Sequence, residues 1–282
     1  MTDSIDAYYD RQYNARAMIP DHVQIFERGA KRSAETRASL PCHLDLAYGS
    51  SPAEKLDIFP AEGKSGALLV FIHGGYWRSR DKSDFSYLAP AFARCGVTLA
   101  LPNYALCPEV GIEDIVKQNL LAIAWLWHHG ARYRVNPGRL YVAGHSAGAH
   151  LAAMMLAARW NTYMPQLPYN LVKGGLVISG IYDLEPLVHA PFVNADLRLD
   201  QAQARRLSPV NIPPATTAPL YTAVGGEESE EFKRQNALIA RTWRHAFAAD
   251  IPMPGRNHLT VLEQLADPGS ALFQGAMDMM QR

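Results

Sequence analysis

The chain carries no net charge: 27 Lys and Arg balance 27 Asp and Glu over 282 residues. With no basic surplus to neutralise phosphates, nucleic acid is not an expected partner. Cysteine is scarce and odd in number (Cys42, Cys95 and Cys107), which argues against a disulfide framework. No apolar run approaches the roughly 18 residues a membrane-spanning helix needs. The opening stretch MTDSIDAYYDRQYNAR is polar and charged and lacks the apolar core of a signal peptide. The cytoplasm is therefore the expected compartment, and no membrane partner is expected. Repeats, charge blocks and low-complexity tracts are missing too. What the chain does have is apolar surface, 48% hydrophobic residues against 19% charged, which excludes disorder. At this length one domain buries about 75% of its unfolded surface, and a single domain over 1–282 is expected.

The pattern changes once along the chain. Residues 1–40 are polar and helical in character, with Tyr8, Tyr9, Tyr13, Ile25 and Phe26 scattered through them, and read as a segment lying over something else. Leu44–Tyr48 and Lys55–Phe59 look like short strands around a turn. Ala67–Ile72 is then a continuous apolar run, as expected of a strand buried on both faces of a parallel sheet. Val97–Leu101, Leu140–Ala143, Gly175–Ser179 and Leu220–Val224 repeat the pattern. Helical stretches at 112–128, 147–158, about 230–248 and 269–280 alternate with them. The expected fold class is α/β, a mostly parallel doubly wound sheet flanked by helices. An N-terminal helical segment covers 1–40, and a small cap-like insertion lies at about 185–215.

The sharpest chemical signal is Gly144-His145-Ser146-Ala147-Gly148. It fits G-x-S-x-G, in which a strained strand-to-helix turn lifts a serine hydroxyl above a sheet. A random chain of this length holds the pattern about one time in ten, so the apolar strand before it and the Ala-rich helix after it carry the weight. Upstream, His73-Gly74-Gly75-Tyr76-Trp77 follows a strand end. Backbone N–H groups in such a loop can face a developing oxyanion, together with the N–H of Ala147. A base must follow the serine. His189 sits in a Pro-containing irregular stretch and His245 in a helical one, whereas His258 lies in the loop Gly255-Arg-Asn-His258 at the right edge of the sheet. For the acid, Glu230 and Glu231 suit the first turn of a helix capped by Ser229. That leaves Glu227, Glu228 and, after the preceding strand, Asp183, which spacing alone does not separate.

Together these residues resemble the α/β-hydrolase fold, and specifically the kynurenine formamidase (arylformamidase) group near the hormone-sensitive-lipase-like esterases. The carriers are HGGYW at 73–77, Tyr13-Asn14-Ala-Arg16, Asn103-Tyr104-Ala-Leu106 with Pro108-Glu109, the stretch Gly225 to Gln235 around Glu228-Ser-x-Glu231-Phe232, and Asn257-His258. The likeness runs from about residue 8 to residue 275. It implies Ser146 as nucleophile, Glu228 as the acid that orients the base, and His258 as base. It also implies the N–H groups of Gly75, Tyr76 and Ala147 as oxyanion donors. Glutamate replaces the commoner aspartate, with Asp183 as the fallback. Tyr76, standing where a third glycine is usual, is expected to crowd the acyl side, and Tyr76, Trp77 and His145 are expected around the substrate.

The implied activity is hydrolysis of a small acyl group from an arylamide, N-formyl-kynurenine to kynurenine and formate, through an acyl-enzyme. A small-chain carboxylesterase is the alternative, and a non-catalytic hydrolase fold used for binding is a third reading. No H-E-x-x-H or zinc-like spacing occurs, and His128-His129 suits a helix end, so neither metal nor other cofactor is expected. The expected partner is a small-molecule substrate, with a homodimer an open option.

Overall fold

The computed structural model describes residues 4–63 and 66–281. Met1 to Asp3 of the polar opening stretch, Lys64, Ser65 and Arg282 lie outside them. Eight strands form one sheet in the order β1-β2-β4-β3-β5-β6-β7-β8. They are β1 His43–Ala47, β2 Lys55–Phe59, β3 Ala67–Ile72, β4 Val97–Pro102, β5 Leu140–His145, β6 Val172–Ile178, β7 Leu220–Gly225 and β8 Phe247–Met253. β2 runs antiparallel to both β1 and β4. All the remaining pairings, from β4 through β8, are parallel. The chain thus has the expected α/β class, with an antiparallel edge on a parallel sheet.

The uninterrupted apolar strands are explained by two cores, one on each face. In β3 every residue is buried. Leu68, Val70 and Ile72 enter one core, packed by Ile123 and Leu126 of the helix Ile112–His129, Leu151 of Ala147–Ala157, and Phe232 of Glu230–Thr242. Ala67, Leu69 and Phe71 enter the other, against Phe92 of Ala89–Arg94 and Phe273 of Ala271–Gln281, whose rings lie 4.9 Å apart. Period-2 alternation is present in space but silent in sequence, because both faces reward the same residue types.

One helix ends earlier than its pattern suggests. The stretch read as 230–248 stops at Thr242, and His245 lies in an exposed turn beyond it. The stop comes from Trp243, 2% exposed, whose indole N–H donates to the carbonyls of Ile212 (2.9 Å) and Pro209 (3.2 Å). The chain then turns through Ala246, whose carbonyl accepts from Leu220 N–H at 2.8 Å at the start of the β7–β8 pairing.

The N-terminal segment forms helices Ile5–Tyr13, Ala15–Met18 and His22–Ser39. Ser4 and Asn14 cap the first two with side-chain oxygens, the reason such residues start helices. The segment lies over the loops at the C-terminal edge of the sheet. Tyr13 is fully buried, donating to Glu231 Oε2 (2.9 Å) and accepting from Gln235 Nε2 (2.8 Å). The Ser229 hydroxyl donates to the Gln12 carbonyl at 2.7 Å. Between 185 and 215 the chain makes a 3₁₀ turn Glu185–His189, helices Pro191–Leu197 and Gln201–Arg206, and a second turn Pro209–Asn211. No helix among the described residues is long and apolar enough to cross a membrane.

Candidate active site

β5 runs straight into the serine turn. Ser146 adopts φ 57° and ψ −122°, a conformation costing a non-glycine residue on the order of 1–3 kcal/mol and held by its surroundings. Both flanking glycines are sterically required. A Cβ on Gly144 would stand 2.1 Å from the Gly148 carbonyl oxygen, and one on Gly148 would stand 2.0 Å from that of Ile72. The serine N–H is tied to the Ile178 carbonyl of β6 at 2.9 Å. The hydroxyl, on a residue 4% exposed, is thereby fixed above the sheet edge.

Ser146 Oγ lies 3.1 Å from His258 Nε2, and His258 Nδ1 lies 2.6 Å from Glu228 Oε2. The other carboxylate oxygen, Oε1, accepts from the Ser179 hydroxyl and from Gly225 N–H at 2.7 Å. Glu228 is 6% exposed, so these donors replace the water it has lost. Asp183 is elsewhere, its Oδ2 3.4 Å from Arg234 Nη1 and Nη2, and Glu227 is exposed. His189 faces Asp6 at 3.5 Å and stacks on Tyr9. Of the sequence candidates, the structure brings together Ser146, His258 and Glu228.

The loops carrying acid and base are fastened to each other. Glu227 N–H donates to the Arg256 carbonyl at 3.0 Å, and Gly226 N–H to that of Met253 at 2.9 Å. Asn257 Oδ1 accepts from the backbone N–H groups of Leu259 and Thr260, at 3.0 and 2.9 Å, closing the turn that presents His258. His145 Nε2 donates to the His258 carbonyl at 2.7 Å. Burial, with His258 alongside, pushes the His145 imidazole well below its ordinary range. It therefore stays neutral, and its single N–H is committed to that carbonyl. Phe232 covers the His258 ring at 4.3 Å.

The glycine loop faces the serine. Gly75 has φ 112°, and a Cβ there would meet the Ser79 carbonyl oxygen at 2.2 Å. Among the described residues, the N–H groups of Gly75, Tyr76 and Ala147 make no hydrogen bond. Unpaired donors beside a serine hydroxyl are what a developing oxyanion needs. His73 anchors the loop: it stacks on Tyr104 at 4.2 Å, and Nε2 lies 3.0 Å from Asn103 Oδ1. Burial pulls its pKa down.

A cavity of about 320 Å³ opens over Ser146 and His258. Tyr76 and His145 line it. Trp77 does not: it is 0% exposed and packs edge-on against His150 at 5.1 Å. The two side chains diverge from a loop in which both residues have φ 53°, Tyr76 toward the cavity and Trp77 into the core. Tyr76 is held by a bond from its hydroxyl to the Tyr13 carbonyl (2.5 Å), with its ring edge-on to Phe192. The opposite wall was not read from the sequence: Asn14, Ala15, Arg16, Ile25 and Phe26 of the N-terminal segment line the cavity, with Phe192 from the helix Pro191–Leu197. The only available hint was Tyr13-Asn14-Ala-Arg16. No group of three or more His, Cys, Asp or Glu side chains is gathered to hold a metal among the described residues.

The family model described as BD-FAE matches residues 56–170. The kynurenine formamidase of Salmo salar is 28% identical over 96% of this chain and 92% of its own length. A probable isoprenylcysteine alpha-carbonyl methylesterase of Arabidopsis thaliana is 32% identical, but over 38% of this chain and 23% of its own length. Among solved structures, a Silicibacter protein provisionally assigned as a thioesterase superposes with a TM-score of 0.84 at 33% identity, covering 94% of this chain and 97% of that one.

Proposed function

From its membership in the α/β-hydrolase family, where this chain is a hydrolase, we propose that it cleaves the formyl group from an arylformamide, with N-formyl-kynurenine as the substrate and kynurenine and formate as products. The observation that carries this reading is the extent of the likeness. The kynurenine formamidase match runs through the N-terminal wall, the glycine loop, the acid loop and the base loop, whereas the methylesterase match covers 38% of the chain.

In this reading His258 Nε2 takes the Ser146 proton and Oγ attacks the formyl carbon. The N–H groups of Gly75, Tyr76 and Ala147 hold the oxyanion. Glu228, accepting from Nδ1, keeps the imidazole in the tautomer that can accept at Nε2 and stabilises the imidazolium. The proton passes to the amine nitrogen as the C–N bond breaks. Water, deprotonated by His258, then attacks the formyl-serine, releasing formate and restoring Ser146. Three free thiols among the described residues support a reducing compartment, the cytoplasm.

A small-chain esterase is the second reading; the Silicibacter relative, provisionally assigned as a thioesterase, is likewise assigned to cleavage of an acyl group from a leaving group other than nitrogen. The deciding measurement compares kcat/KM for N-formyl-kynurenine with those for p-nitrophenyl acetate and butyrate, using Ser146→Ala as the blank. The formamide is expected to win by about 100-fold, roughly 2.7 kcal/mol of differential transition-state binding. If the esters win and the formamide is barely touched, the esterase reading replaces this one.

A further inference from the structure

Three guanidinium groups line the cavity: Arg16, Arg78 and Arg80. Two are neutralised in place. Arg78 pairs with Asp196 at 2.5 Å and also donates to the Phe192 carbonyl at 2.8 Å. Arg80 pairs with Asp84 at 3.2 Å while lying over the Phe26 ring at 4.1 Å. The remaining acid of the lining, Glu263, is taken by Arg28 at 2.9 Å. Arg16 has no carboxylate partner among the described residues. Its Nη2 donates to Ser79 Oγ at 3.2 Å, and its guanidinium stands 5.4 Å from the Phe26 ring centre. The same Ser79 hydroxyl donates to the Gly75 carbonyl at 2.9 Å, so one side chain separates Arg16 from the loop of free N–H groups.

Partial burial, with Arg80 and Arg78 alongside, lowers the pKa of Arg16 from its ordinary value. Like charges crowded at one mouth are stabilised by an anion arriving between them. A planar guanidinium with free N–H groups matches a carboxylate, which accepts two parallel bonds.

We propose that Arg16 reads the charge of the substrate, binding a carboxylate carried on the portion that leaves the serine. The placement on the leaving portion rests on the formamide reading, because a formyl group has no position for a charged substituent. Arg16 is in these terms a specificity residue. It contacts the substrate at a distance from the scissile bond and takes no part in proton transfer.

The test uses the whole protein and a neutral reporter, p-nitrophenyl acetate, inhibited by 4-phenylbutyrate or by its uncharged isostere 4-phenylbutyramide. Wild type is expected to bind the carboxylate about tenfold more tightly than the amide, the lower end for a charged hydrogen bond because Arg16 meets solvent at the mouth. Arg16→Gln is expected to bring the ratio of inhibition constants to about one, and Arg16→Lys to keep part of it as a point charge. Both constants come from the same variant, so a general loss of activity cancels in the ratio. Equal inhibition of wild type by acid and amide overturns the proposal, as does a preference that survives Arg16→Gln. Formamide turnover is scored separately. If formamides are inert while the Arg16-dependent preference is present, the formamidase reading falls and the anion site stands.

Discussion

Replacing Glu228 with Gln changes one atom and should stall the reaction at proton transfer. Glu228 Oε1 accepts two hydrogen bonds, from Ser179 and Gly225, and Oε2 accepts one from His258 Nδ1 at 2.6 Å. In the amide, the oxygen has to occupy the Oε1 position, because two donors converge there. The NH₂ group then faces Nδ1 and turns it into an acceptor, which moves the ring proton to Nε2, 3.1 Å from Ser146 Oγ. A protonated Nε2 cannot take the serine proton. Loss of the right tautomer at such a site costs about 10⁴ in kcat, or roughly 5.5 kcal/mol. Asp183→Asn instead weakens a 3.4 Å contact with Arg234, which keeps Glu231 at 2.9 Å. That is worth less than about 1 kcal/mol of stability and should leave kcat within about twofold. The assay is kcat on p-nitrophenyl acetate for both variants, with thermal melts to show that each is folded. If Asp183→Asn cripples turnover while Glu228→Gln keeps more than a tenth of it, the acid has been misassigned.

Further expectations concern the turn, the pocket and acid stability. Gly148→Ala puts a methyl group 2.0 Å from a backbone oxygen that cannot move away; a loss of at least about 3 kcal/mol, read as a melting temperature lower by about 6–12 °C, is expected. An unchanged melting curve would mean the helix is not set tightly against β3 at Gly148. Tyr76→Gly removes the ring from the cavity wall and should raise butyryl over formyl turnover by about tenfold, the scale of acyl-chain discrimination. An unchanged ratio would rule out acyl crowding by Tyr76. His150 is buried, and burial lowers its pKa to about 4, against about 6.5 in the unfolded chain. Between these values the unfolded state binds the extra proton. Its contribution to stability is therefore intact above about pH 6.5 and drains as pH falls toward 4, by about 3 kcal/mol in all. Urea midpoints should fall across that window, and His150→Asn should flatten the slope; a slope unaltered by the substitution would place the titrating group elsewhere.

How much of this was legible in the sequence depends on how far apart the contributing residues lie. Ala67–Ile72 was bounded correctly because a strand buried on both faces writes itself as an unbroken apolar run. Ser146 was legible because it directly follows a strand end, and His258 because it lies in the loop between the last strand and the helix after it. The acid was not separable by spacing, since Glu227, Glu228 and Asp183 all follow strand ends; burial and the contact with His258 Nδ1 single out Glu228. Trp77 was expected in the pocket and lies in the core; side-chain direction in a loop with φ 53° follows no period. The cavity wall built by Ala15, Arg16 and Phe26 had no periodic signal of its own, because it is made by docking across the whole length of the chain. The helix ending at Thr242 was overrun for a similar reason, as the indole partners of Trp243 come from residues 209 and 212.

The bond between Tyr13 and Glu231 spans 218 positions, and that distance is also an interval of time. At roughly 5–20 residues per second of synthesis, the helix Ile5–Tyr13 waits on the order of 10–40 s before Ser229 and Glu231 exist to receive it. Until then the loop holding Glu228 lacks its latch, although Tyr76 already has its partner in the Tyr13 carbonyl 63 positions upstream. A nascent chain can lay down β1 to β6 and the serine turn, yet it holds a nucleophile without a base, an acid or a closed pocket. The Ser146, His258 and Glu228 constellation is therefore complete only once the last third of the chain has been made, in the same interval that gives the first helix its partner at Glu231.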